Sequence, residues 1–178
     1  FGTISVVLLF IIPLITMRLI AEERKNFTAE LLFTLPVRVS QIVLGKFLAS
    51  FSLFAIMLVL SAIYLVVLRV YGNPDLGPVL SAYLGLFLLG GSLISAGLFA
   101  SSLTENQIVA AVISFGILLV FWILGASSDA DNSILGYISI INHFDNFTKG
   151  VIALRDTIYY LSFVFFGLFL MVESERWR

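Results

Sequence analysis

Side chains able to do chemistry are sparse in this sequence, and their spacing forms no catalytic set. One histidine, His143, stands among 178 residues, and cysteine is absent. The pattern HExxH, which sets two imidazoles on one helix face for zinc, does not occur, nor does GxSxG, which presents a serine on a sharp turn. Without cysteine there are no disulfides, no thiol catalysis and no Cys-ligated zinc. His143 reads as a polar residue at an interface rather than a ligand. NFT triplets at Asn26 and Asn146 match a glycosylation acceptor, a pattern common by chance. No glycine-rich run leads into GK and a hydroxyl residue, so the chain carries no phosphate cradle for ATP. It is not expected to be an enzyme or to hold a metal or cofactor.

The elements that must position these residues are set by composition. The chain is 60% hydrophobic and 12% charged, with mean hydropathy +1.09, against about a quarter charged in soluble domains. That is a membrane protein, and without bulk basicity nucleic acid is no expected partner. A hydrocarbon core of about 30 Å takes roughly 20 apolar helical residues. Five runs of that kind are expected: Phe1–Ile20, Phe47–Val70, Val79–Leu98, Gln107–Gly125 and Thr157–Val172. Phe47–Leu68 alone holds fourteen Leu, Ile, Phe or Val, worth together about −4 to −8 kcal/mol toward insertion. Ser50, Ser52 and Ser61 cost little there, because a hydroxyl bonds back to helix carbonyls. Pro13 is expected to kink the first run. The fold class is therefore all-α, a polytopic helix bundle in a single domain over residues 1–178. The opening inside an apolar run suggests a preceding span, making six.

Cations set the orientation. Seven fall on one side (Arg18, Arg24, Lys25, Arg38, Lys46, Arg176 and Arg178) and three on the other (Arg69, Lys149 and Arg155). By the positive-inside rule the first group is cytoplasmic. The span interiors lack Asp, Glu, Lys, Arg and His, the usual ion sites of coupled carriers. If this chain takes part in active transport, another chain must supply the energy.

Three stretches remain to be assigned. Residues 18–46 form a cytoplasmic loop in which Phe27, Leu31 and Leu35 share one helical face beside Leu32, with Pro36 ending the turn and Ser40 capping the next span. Ringed by Glu22, Glu23, Arg24, Lys25, Glu30 and Arg38, that face suits a groove on a partner protein. The alternative is a helix lying on the inner leaflet, but three acids among the cations weaken it. In the third span Gly91, Ser95 and Gly97 belong to a small-residue surface for helix packing, with a substrate path as the other reading. In the outer segment 126–156, Ile140, Phe144, Phe147, Val151 and Leu154 recur at helical steps, with Asp145, Asn146 and Lys149 turned away and Gly150 a breaker. This is either a helix resting in the interface or a partly re-entrant pair roofing a cavity.

AEERKNFTAELLFTLPVRVSQIVLGKFLAS resembles the cytoplasmic loop of type-2 ABC transporter permeases, in which a TxELLxTLPV-like segment leads to LGK at the next helix. HFDNFTKGVIALRDTIYYLSFVFFGLFL is similar to the last outer loop and final helix of the gliding-motility-associated group of these permeases. The resemblance implies two permease subunits, alike or different, in the bacterial inner membrane, joined to two cytoplasmic ATPase chains that bind ATP and Mg. Residues 28–35, with Thr28, would then be the coupling helix, Glu22 to Lys25 would lean on the same partner, and the outer face Ile140 to Leu154 would gate the exit. A membrane scaffold that recruits a partner without transport, and a sodium-coupled carrier, are the rival readings.

Overall fold

The computed structural model describes residues 1–26, 38–72, 75–126 and 137–176, with Arg24, Gly125 and Ala126 described through their backbone only. Among these residues there are helices and no strands: α1 (Gly2–Thr16), α2 (Arg18–Lys25), α3 (Val39–Ser61), α4 (Ile63–Tyr71), α5 (Leu76–Ser102), α6 (Gln107–Ala126), α7 (Ile140–Thr148) and α8 (Leu154–Arg176). Helix is the expected answer to this composition, since in lipid each backbone group must be bonded within its own segment. Five helical stretches are long and apolar enough to cross a membrane: Gly2–Glu23, Val39–Tyr71, Leu76–Ser102, Gln107–Leu124 and Leu154–Arg176. The protein is a multi-pass helical membrane protein.

Several ends differ from the sequence reading, each for a local reason. The second span begins at Val39, eight residues before Phe47. Its N-cap is Arg38, whose N–H donates to Gln41 Oε1 at 3.2 Å, so Ser40 lies inside the first turn and does not cap it. The same span runs through Ala62, where the helix tightens without leaving the right-handed region (φ −64°, ψ −14°) and α4 continues it to Tyr71. Pro13 lies within α1, and the regular pattern breaks at Met17, whose N–H still reaches the Pro13 carbonyl at 2.9 Å. The last span starts at Leu154, which brings Arg155 and Asp156 into its first turn. Asp156 thus stands in the terminal turn of a spanning helix.

Helix α5 is the axis. In its most apolar window 67% of the residues are buried, against 6% for the Val39–Tyr71 stretch. It touches α1, α2, α3, α6, α7 and α8. Small residues make this possible, because they let neighbouring backbones and rings come close. Phe54 of α3 lies over Gly90, Thr16 of α1 against Gly97, and Phe144 and Phe147 of α7 against Gly85. A methyl on Gly167 of α8 would stand 2.8 Å from Ser95 Oγ. The flank of α3 and α4 away from α5 is apolar and open, Val59 at 71% and Tyr64 at 78% exposed among others, as a surface facing lipid or a second subunit would be.

Candidate functional site

At the end of the bundle carrying Arg18, Lys25, Arg38 and Lys46, the junction of α1 and α2 is bound into the core by two side chains. A new helix start at Arg18 leaves the N–H groups of its first turn without partners in α2. Ser101, near the end of α5, supplies one: its Oγ accepts from Ile20 N at 3.3 Å and Ala21 N at 3.1 Å, and its O–H donates to the Met17 carbonyl at 3.0 Å. This is an N-cap delivered from another helix. Lys46, in the second turn of α3, donates to the Leu19 carbonyl at 2.6 Å and pairs with Glu23. With its side chain 15% exposed, Lys46 ties α2 to α3 where water is scarce. Helix α2 is thereby fastened to both α3 and α5.

Beside this junction a cleft of about 410 Å³ is lined by Lys25, Glu105, Asn106, Gln107 and Ile108. Asn106 Oδ1 accepts from Ile108 N at 3.0 Å and caps α6. Ile108 leaves 73% of its surface exposed beside these polar groups. Glu22 and Glu23 are half-buried on α2, and Arg38 is exposed at the start of α3. Phe27, Thr28, Glu30, Leu31, Leu32 and Leu35, and the side chain of Arg24, lie outside the described residues. The structure thus describes both ends of the expected docking loop and what each end is fastened to.

The opposite end holds a group the sequence did not disclose. Ser139 caps α7, its Oγ accepting from Asn142 N at 3.4 Å. After Thr148 the chain closes in a Schellman motif, Val151 N to Asn146 O at 3.0 Å and Gly150 N to Phe147 O at 3.1 Å, with Gly150 at φ +83°. The shared face therefore runs through Ile140, Phe144 and Phe147, which are buried, and stops there. Val151 and Leu154 stand beyond the turn at 54% and 76% exposed, and do not continue it. Gly150 abuts Pro78 in the first turn of α5, and Phe147 abuts Gly85, which is seven residues further along and about 10 Å deeper. Helix α7 accordingly packs along the first turns of α5, with Phe144 and Phe147 against Gly85.

That packing buries His143, 4% exposed, where an interfacial position was expected. Its Nδ1 lies 2.6 Å from Asp156 Oδ1 and its Nε2 3.0 Å from the Tyr137 carbonyl, while Asn146 Nδ2 donates to Asp156 Oδ2 at 2.8 Å. The Tyr159 ring stacks on the imidazole at 4.0 Å between centroids. The hydroxyls of Tyr159 and Tyr160 donate to the Ile138 and Ile140 carbonyls at 2.6 and 2.8 Å. His143 and Asp156 are thirteen residues apart across a turn, so no spacing rule pairs them. The nearest sequence signal was Asp156 directly before the final apolar run.

Among the described residues no three His, Asp or Glu side chains gather to hold a metal ion. The family model for ABC-2 family transporter protein matches residues 2–172. No curated protein and no solved structure matches the chain.

Proposed function

The chain belongs to the ABC-2 transporter family, and from that premise we propose that it is the membrane-spanning subunit of an ATP-driven exporter, moved by a cytoplasmic ATPase made as a separate chain. The ATPase binds ATP and Mg, and the basic end of this chain, placed in the cytoplasm by its cations, receives it. Two permease subunits, alike or different, would complete the assembly in a bacterial inner membrane. The outer-loop likeness favours the gliding-motility-associated group within the family.

The observation that carries the reading is the fastening of α2. Force applied by an ATPase to residues 28–35 enters α2, crosses to α5 through Ser101 and to α3 through Lys46, and reaches every helix packed on α5. Glu22, Glu23, Arg24 and Arg38 would form the charged rim of the docking face, with Phe27, Leu31, Leu32 and Leu35 as its apolar anchors and Thr28 and Glu30 among the contacting residues. At the far end, closure is the work of α7, with Ile140, Phe144 and Phe147 as the buried part of the gate.

Substitution of the docking face tests this. Leu31→Asp and Glu30→Arg should each abolish co-purification of an ATPase from native membranes. Unchanged association and unchanged permease-stimulated ATP turnover would refute the coupling role. Full ATPase binding with no stimulated turnover in proteoliposomes would favour the scaffold, and uptake driven by an imposed sodium gradient with this chain alone would favour the carrier.

A further inference from the structure

At the basic end the docking loop does not use all the surface on offer. The cleft of about 410 Å³ between the end of α2 and the α5–α6 turn brings together Lys25, Glu105, Asn106, Gln107 and Ile108. Lys25 and Glu105 are exposed, and among the described residues neither takes part in an ion pair. Ile108 adds an apolar surface, 73% exposed, beside these polar groups. The turn carrying them is already held: Leu103 N donates to the Ala100 carbonyl at 3.2 Å, Asn106 N to Thr104 Oγ1 at 3.1 Å, and Ile108 N to Asn106 Oδ1 at 3.0 Å. A partner landing here has little backbone left to order, and ordering is a cost of association.

We infer that this cleft is a second foothold for the same cytoplasmic ATPase, which sets an acidic side chain at Lys25, a basic one at Glu105 and an apolar one over Ile108. The inference rests on the proposed coupling through residues 28–35 and adds a contact which that reading does not require. Three observations favour this occupant. Lys25 is the last residue of α2, so the cleft is continuous with the docking loop that follows. Its one cation and one acid cancel, so neither the anionic inner leaflet nor a phosphate-bearing ligand gains net attraction there, whereas a protein surface can pair with both charges. The two walls are also fastened to each other, because Ser101 of α5 accepts from Ile20 N and Ala21 N of α2. A partner seated between them therefore grips α2, α5 and the start of α6 at once, where the docking loop alone offers it only the ends of α2 and α3.

The chain has no native cysteine, so Ile108→Cys, Arg38→Cys and Ile123→Cys each give the full-length protein a single thiol. A benzophenone maleimide is attached to it, the ATPase that co-purifies with the wild-type chain is added back, and the complex is irradiated. Arg38 marks the rim of the docking face, and Ile123, 52% exposed, lies near the other end of α6. The foothold predicts an ATPase adduct from positions 108 and 38 and none from 123. An adduct from position 38 without one from 108 would overturn the foothold and leave the docking loop standing. No ATPase adduct from any position would overturn both. Capture of a second copy of this chain, or of lipid, at position 108 in place of the ATPase would overturn the foothold by giving the cleft another occupant, and an equal ATPase adduct from 123 would overturn it by showing collision without docking. The charge pairing has its own readout. Glu105→Gln should weaken ATPase binding about two- to fivefold, the worth of one exposed ion pair, with the loss shrinking as salt rises. Binding of wild-type strength at low salt would count against the pairing and overturn the foothold as drawn.

Discussion

Ser101 shows how one hydroxyl can carry a mechanical role in a helix bundle. It satisfies two donors and one acceptor at a helix break that Pro13 and Met17 create, and nothing else in the described junction reaches all three. Replacement by alanine should cost about 1–2 kcal/mol, the usual loss for an N-cap, read as a lower unfolding midpoint of the purified chain. In the assembled transporter it should lower stimulated ATP turnover while leaving ATPase association intact, because the docking face is untouched. Lys46→Met keeps the bulk of the stem and removes the charge, so Glu23 and the Leu19 carbonyl lose a half-buried partner. The same split between association and turnover is expected there. These roles were not legible in the sequence: Ser101 and Ile20 lie 81 positions apart, and a serine near a span end carries no mark of what it caps. The burial of His143 was not legible for a related reason, since it comes from the packing of α7 and not from its own neighbours in sequence.

At the level of helices the reading went further, because lipid leaves few options for apolar runs of this length. Five spans and the breaker at Gly150 were visible in residue type alone. Their ends were not, since polar residues such as Gln41 and Asp156 are tolerated on a helix once a cap or an ion pair takes them up. Glycine positions on α5 were readable as a small surface, but which glycine meets which neighbour depends on helix register. Gly97→Leu should force Thr16 and α1 away from α5 and lower the thermal midpoint clearly, while Gly116→Leu should change it little, since a Cβ there meets nothing within 4 Å. Equal shifts for the two would contradict the packing described. Gly150→Ala should destabilise by about 1 kcal/mol or more. It pays for a positive φ and brings a methyl to 3.2 Å from Pro78.

Taken whole, the molecule is a bundle fastened at both ends of one central helix. At the basic end α2 is bound to α5 and α3; at the far end α7 lies in a trough made by the small residues of α5 and is held to α8 by His143, Asp156 and two tyrosines. Packing is thus continuous along α5 from one end to the other, which is what the proposed coupling would require. Family membership was legible in the TAELLFTLPV and LGK stretches, which carry the resemblance, and the family model spans both. The substrate was not legible, because a translocation path is lined by several helices at once and leaves no contiguous motif. The most direct test of the account is ATP turnover by the ATPase that co-purifies with this chain, measured in proteoliposomes with wild-type, Leu31→Asp and Ser101→Ala permease. Coupling through α2 predicts stimulated turnover for wild type, neither binding nor stimulation for Leu31→Asp, and binding with reduced stimulation for Ser101→Ala. Wild-type stimulation in both variants would contradict it.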